Sequence, residues 1–208
     1  MKLWQRIASQ FGKPSGFLGS VAGFIMSHRK SNIERNKWGV ELLDLQPDDI
    51  VLEIGFGPGI AIKMMSDIIT QGTIFGIDHS EKMLSSAQKR NSSAIKSGRV
   101  TLICSSTSSL PEINVKFGKV LDINSFQFWE NQVDDLIKLK KHMIDGGTIA
   151  LVHQPRKPGA TDADATDAGI IFSNLLQQAG FENIRIHKKI MKPVSTVCVT
   201  AMAHSSGK

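Results

Sequence analysis

Three glycines and two carboxylates, Glu53, Gly55, Gly57, Gly59 and Asp78, form the most chemically specific pattern in this sequence. The apolar run at residues 50–54 carries a single acid, Glu53, and ends in glycines at alternate positions, with Phe56 and Pro58 between them. An amphipathic stretch, residues 60–69, follows at once. A strand, a tight glycine turn and a helix in that order present backbone N–H groups and a helix N-terminus to a ligand. Glycine lacks the Cβ that would hold a ligand away from the backbone, and Pro58 stiffens the turn. An acid inside an apolar strand needs a partner; at the strand's carboxyl end Glu53 can meet a cationic amino group, directly or through water. Asp78 closes a second apolar run about twenty residues on, a distance at which a carboxylate can accept both hydroxyls of a ribose. The bland alternatives are an ordinary turn and a strand-end acid that caps the next helix. A dinucleotide loop requires G-x-G-x-x-G, and its third glycine would fall at position 60, which is Ile.

The spacing present, E-x-G-x-G-x-G, resembles motif I of the class I S-adenosylmethionine-dependent methyltransferases. Gly76-Ile77-Asp78-His79-Ser80-Glu81-Lys82-Met83-Leu84 resembles the second signature of that family, G-x-D-x-S-x-x-M-L, which implies that His79 and Met83 border the ribose or adenine. Residues 100–111 align with V-x-x-x-x-G-D-A-x-x-L-P, but Ser105, Ser106 and Thr107 replace Gly-Asp-Ala, so the acid that takes the adenine amino group is missing and Ser106 or a backbone carbonyl must substitute. Residues 117–129 resemble the fourth-strand segment, with Gly118 where relatives often carry Asp. Asn124 then falls where the methyl group would emerge, and no proline follows it, unlike the N/D-P-P-Y/F signature of amino-group methylases. Gln178-Ala179-Gly180-Phe181 also matches. The likeness covers roughly residues 36–203 and is closest to the small-molecule group that contains the ubiquinone and menaquinone C-methyltransferases. It implies S-adenosylmethionine as cofactor, S-adenosylhomocysteine as product, and a cofactor site of Glu53, Gly55, Phe56, Gly57, Gly59, Asp78, His79, Met83, Ser106, Thr107 and Asn124.

Alternating strands and helices position these residues. Strands are expected at residues 73–78, 99–104, 119–124, 148–153, 183–190 and 195–203, besides the first at 50–54. Helices are expected at 60–69, from Ser80 to about residue 90, at 130–143 and at 167–179. Such βα units imply a parallel sheet with helices on both faces. The last two strands are joined by few residues and must pair antiparallel. This pattern resembles the class I methyltransferase fold, which implies an α/β, Rossmann-like sandwich with helices on both faces and a mostly parallel seven-stranded sheet in that family's order 3-2-1-4-5-7-6. Residues 1–45 are read as a helical arm or lid on a core spanning 46–208, with short helices at 2–10 and 17–27 and a third capped by Asn32.

Charge separates arm from core. Residues 1–40 hold seven Lys/Arg and one acid, whereas the remainder holds 18 of each sign. A basic arm suits an anionic acceptor, an anionic membrane surface or nucleic acid, or it is a solvated helix face. The two cysteines, in apolar runs, are expected to be buried free thiols in a cytoplasmic protein. No apolar run reaches the roughly 20 residues that span a bilayer. Asp162, Asp164 and Asp167 lack the glycine and bidentate Glu of a calcium loop, so no metal is expected. Methyl transfer needs an in-line nucleophile and, for O–H or carbon acids, a base. Candidates at the sheet's carboxyl edge are His153 and Asn124, with Gln127, Trp129 and Gln154 as further polar groups there, and His28 in the arm is another. The sequence thus points to methylation of a small anionic or lipophilic molecule. An RNA methyltransferase, or a non-catalytic S-adenosylmethionine-binding protein with a membrane- or nucleic-acid-contacting arm, are the alternatives.

Overall fold

A computed structural model describes residues 30–110 and 113–204. The helices expected at 2–10 and 17–27, His28, and most of the arm lie outside the described residues. In chain order the elements are α1 (Lys30–Glu41), β1 (Ile50–Ile54), α2 (Ile60–Ile68), β2 (Thr73–Asp78), α3 (Glu81–Arg90), α4 (Ser92–Lys96), β3 (Val100–Cys104), β4 (Phe117–Ile123), α5 (Gln132–Lys141), β5 (Met143–His153), α6 (Asp162–Gln178), β6 (Phe181–Lys189) and β7 (Thr196–Ala203). Two single 3-10 turns, Thr107–Ser109 and Phe126–Phe128, follow β3 and β4.

The seven strands form one sheet in the order β3-β2-β1-β4-β5-β7-β6. Strands β1 to β5 run parallel, and β7 pairs antiparallel with both β5 and β6. This is the expected sheet, including the terminal hairpin. The chain leaves β1 toward β2 on one side and leaves β4 toward β5 on the other. The carboxyl ends of β1 and β4 therefore flank a crevice, where open α/β sheets bind ligands.

Alternation of side chains across the pleat builds the two core layers. Leu52, Val120, Ile149 and Leu151 face α5 and α6, packing with Leu136, Leu139, Phe172 and Leu176. Val51, Leu121, Ala150 and Val152 face the other way and pack with Val40, Ile62, Met65 and Ala87 of α1, α2 and α3. Helix α1 lies so close to the sheet that a Cβ on Gly39 would sit 2.9 Å from Val152 Cγ2. That contact fixes the part of the arm nearest the crevice.

Several boundaries differ from the sequence reading. Asn32 lies inside α1 and does not cap it. Helix α6 starts at Asp162 because Thr161 and Asp164 form a reciprocal capping box there, where an uninterrupted loop to residue 166 was expected. Strand β5 begins at Met143 and not at residue 148, with a register shift against Phe117 and Lys119. Cys198 is buried as expected, but Cys104 is exposed because it ends the edge strand β3. No helix among the described residues is long and apolar enough to cross a membrane.

Candidate active site

The glycine turn is held from several sides. The Gly55 N–H donates to the Ile77 carbonyl at 2.8 Å, and the Gly57 N–H donates to Asp78 Oδ2 at 2.8 Å. From below, Arg90 Nε donates to the Pro58 carbonyl at 2.8 Å and Asn91 Nδ2 to that of Gly59 at 3.1 Å. All three glycines have positive φ. Their surroundings give them different tasks. A Cβ on Gly55 would strike Ser125 at 2.3 Å, and one on Gly59 would strike Asn91 and Ala87 at 2.6 and 2.8 Å. A Cβ on Gly57 would meet nothing within 4 Å. Of the three, only Gly57 has a Cβ direction that points into open space, whereas the Cβ directions of Gly55 and Gly59 are filled by the chain packing on itself.

Three buried carboxylates lie near the carboxyl ends of β2, β1 and β4. Glu53 and Asp122 are 2% and 0% exposed, and Asp78 is 7% exposed. Burial, then the charges of Asp122 and Asp78, pushes Glu53 well above its usual range; a hydrogen bond from the Ile62 backbone opposes this. Glu53 Oε2 has no hydrogen-bond partner. Burial raises Asp78 as well, against N–H donors from Ser80 and Gly57. Asp122 is raised to about 6 by burial, although Ser125 and Phe126 donate to it. None of the three forms an ion pair among the described residues. Burial on its own thus favours the neutral acids, and a cation bound beside them would favour their ionised forms.

Glu53 and Asp78 border a cavity of about 1350 Å³, whereas Asp122 lies behind its wall, bonded to Ser125 and Phe126. It is lined by Glu53, Gly55, Phe56, Gly57, Asp78, His79, Met83, Ser106, Thr107, Asn124 and His153, and so gathers nearly every residue singled out from the sequence. Gly59 is the exception: it turns back toward α3 and is absent from the lining. Asn124, at φ 59°, uses its amide locally: Nδ2 donates to the Gln154 carbonyl at 3.0 Å and Oδ1 accepts from the Gln154 N–H at 2.8 Å. It clamps the ends of β4 and β5 together. The His153 ring meets Phe172 edge-on at 5.6 Å, and its Nδ1 has no partner. Burial, then Arg35 and Arg156, lowers its pKa to about 4, so the imidazole is neutral at neutral pH.

The sequence reading did not single out Asp122, Ser125, Arg35 or Arg156 as site residues. Each owes its position to contacts between distant segments; Arg35, for example, donates to Gln154, 119 positions away. Asp162 and Asp164, in the first turn of α6, bond locally: Asp162 accepts from the Ser195 N–H and Asp164 from that of Thr161. Among the described residues no group of three or more His, Cys, Asp or Glu could hold a metal ion.

A methyltransferase domain model matches residues 51–147, from β1 into β5. The chain is also 32% identical over 181 residues to the uncharacterized methyltransferase YdaC of Bacillus subtilis (strain 168), an alignment covering 87% of this chain and 97% of that one. The chain belongs to the class I S-adenosylmethionine-dependent methyltransferases. The fold of this methyltransferase is shared with an S-adenosylmethionine-dependent methyltransferase from Aquifex aeolicus, at a TM-score of 0.66, 18% identity and coverage of 84% of this chain and 94% of that one. It is shared too with the magnesium protoporphyrin IX methyltransferase of Synechocystis PCC 6803, solved with bound S-adenosylmethionine, at a TM-score of 0.63, 18% identity and coverage of 84% and 80%. The carboxylate cluster of this methyltransferase fits the cofactor, whose methionine end carries an ammonium and a sulfonium. The unpartnered Glu53 Oε2 and the open face of Gly57 leave the acceptor atom and the room that such a ligand needs.

Proposed function

We propose that this methyltransferase transfers the methyl group to a small-molecule acceptor enclosed at the end of the crevice away from the adenine. The cavity volume carries this reading. Ligand pockets usually measure about 300–1,000 Å³, so one of about 1350 Å³ has room for an acceptor beside the cofactor. On our reading Glu53 takes the ammonium and Asp78 the ribose hydroxyls, since each carboxylate oxygen that accepts one backbone N–H retains a lone pair. His79, Met83, Ser106 and Thr107 border the ribose and adenine. S-adenosylmethionine supplies a sulfonium-bound methyl group, which leaves when an in-line nucleophile attacks it.

Beyond the ends of β4 and β5 the lining changes character. Phe128, Trp129 and Ile171 offer apolar surface for the body of an acceptor, and His153 offers a neutral nitrogen. At a pKa of about 4 this imidazole is poorly matched to general-base work at neutral pH. The protein's main contribution is then to hold acceptor and methyl group in line, the positional part of catalysis. The test is to supply methyl-labelled S-adenosylmethionine with a small-molecule extract and, separately, with total RNA. Label in the small-molecule fraction alone supports the proposal; label in RNA alone overturns it.

A further inference from the structure

We propose that the acceptor binds through an anionic group, a carboxylate or a phosphate, gripped by Arg35 with Arg156 beside it. This rests on the small-molecule reading above and names the acceptor's chemistry. Arg35 lines the cavity, yet it is only 2% exposed. A buried guanidinium ordinarily requires a carboxylate, because removing an unpaired charge from water costs several kcal/mol. Arg35 has none among the described residues. Its Nη1 donates to Gln154 Oε1 at 2.7 Å and its Nη2 to Asn32 Oδ1, both neutral amides, and its Nε has no partner. The two acids of its own helix are engaged with lysines, Glu34 with Lys189 and Glu41 with Lys37.

A second cation converges on the same spot. Arg156 Nη2 lies 3.5 Å from the Asn32 Oδ1 that already accepts from Arg35. Two guanidiniums directed at one neutral oxygen repel each other, and the chain has not separated them. Gln154 holds the arrangement: its Nε2 donates to the Val194 carbonyl at 2.8 Å while its Oε1 accepts from Arg35. An anion at this end of the cavity would supply the counter-charge that Arg35 lacks among the described residues and engage its planar fork, the group suited to carboxylate and phosphate recognition. The lining carries further acids, Glu130, Asp164 and Asp167, of which Asp164 is paired with Lys157; none of them forms an ion pair with Arg35.

The test is isothermal titration of the full chain, saturated with S-adenosylhomocysteine, using benzoate, phenyl phosphate and benzamide at fixed ionic strength. At least one anion should bind about tenfold or more tighter than neutral benzamide, the scale of a hydrogen bond to a charged group. Which anion wins separates carboxylate from phosphate. Arg35→Gln should lose the preference, and Arg35→Lys should keep only part of it. Binding of S-adenosylhomocysteine by each variant reports that it is folded. The proposal is overturned if neither anion outcompetes benzamide, or if both variants retain the wild-type preference. No turnover is involved, so that failure would leave the small-molecule reading standing; the latter falls separately, on labelled RNA.

Discussion

Substituting Gly57 by alanine separates a ligand contact from backbone strain. Gly57 has φ +52° and a Cβ direction that meets no protein atom within 4 Å. Gly98 matches it in both respects, with φ +76° and nothing within 4 Å, but it precedes β3 and lies at the amino edge of the sheet, away from the crevice. A left-handed conformation costs a non-glycine residue roughly 1–2 kcal/mol. The entropy lost by the unfolded chain offsets about 0.4–1 kcal/mol of that. Gly57→Ala and Gly98→Ala should therefore each lose about 1 kcal/mol of stability, or about 2–4 °C in Tm for a domain of this size. Only Gly57→Ala places a methyl group in the space assigned to the cofactor. Overpacking of that kind costs about 1–3 kcal/mol, which weakens S-adenosylhomocysteine about 5- to 150-fold. Thermal unfolding by circular dichroism measures the first quantity and isothermal titration the second. Equal cofactor affinities in the two variants would refute the assignment of Gly57 to the cofactor wall.

Asp78→Ala removes the acceptor of the Gly57 N–H as well as the proposed ribose ligand, and titration should show S-adenosylhomocysteine bound at least about tenfold more weakly. The His153 ring should titrate at about 4 when followed by NMR, and a midpoint near 6.5 would contradict its burial beside Arg35 and Arg156. Because its folded pKa lies below the unfolded one, its contribution to stability is complete above about 6.5 and is lost as pH falls toward 4, on the order of 3 kcal/mol in all. The raised carboxylates Glu53, Asp78 and Asp122 act with the opposite sign, so the readout is the difference between wild type and His153→Gln in urea unfolding across that window. For the cysteines, native protein should react with a thiol reagent at Cys104 alone, Cys198 becoming available only on unfolding; two fast thiols would contradict the burial of Cys198 in β7.

The sheet, and the residues that gather around the glycine turn, were largely legible in the sequence because their signals are local. Glu53, the glycines and Asp78 all lie within two βα units. Arg35 shows why the acceptor end was not. In the sequence it is one of seven cations in a basic arm; only the packing of Gly39 on Val152 brings its helix over the sheet edge and buries its guanidinium against Gln154. Asp122 was similarly hidden, since an acid in a strand shows its environment only when β1 and β4 pair. The start of α6 was missed for a smaller reason: its capping box carries Asp164 where the familiar signature has Glu or Gln, so the aspartates of the preceding segment read as loop.

The most direct measurement is a crystal structure of the chain with S-adenosylhomocysteine. We expect the ligand's ammonium within hydrogen-bonding distance of Glu53 Oε2, its ribose hydroxyls on Asp78, Gly57 against the methionine moiety, and its sulfur facing the end of the cavity that holds His153 and Arg35. A ligand whose ribose avoids Asp78, or whose sulfur faces away from that end, would contradict the account.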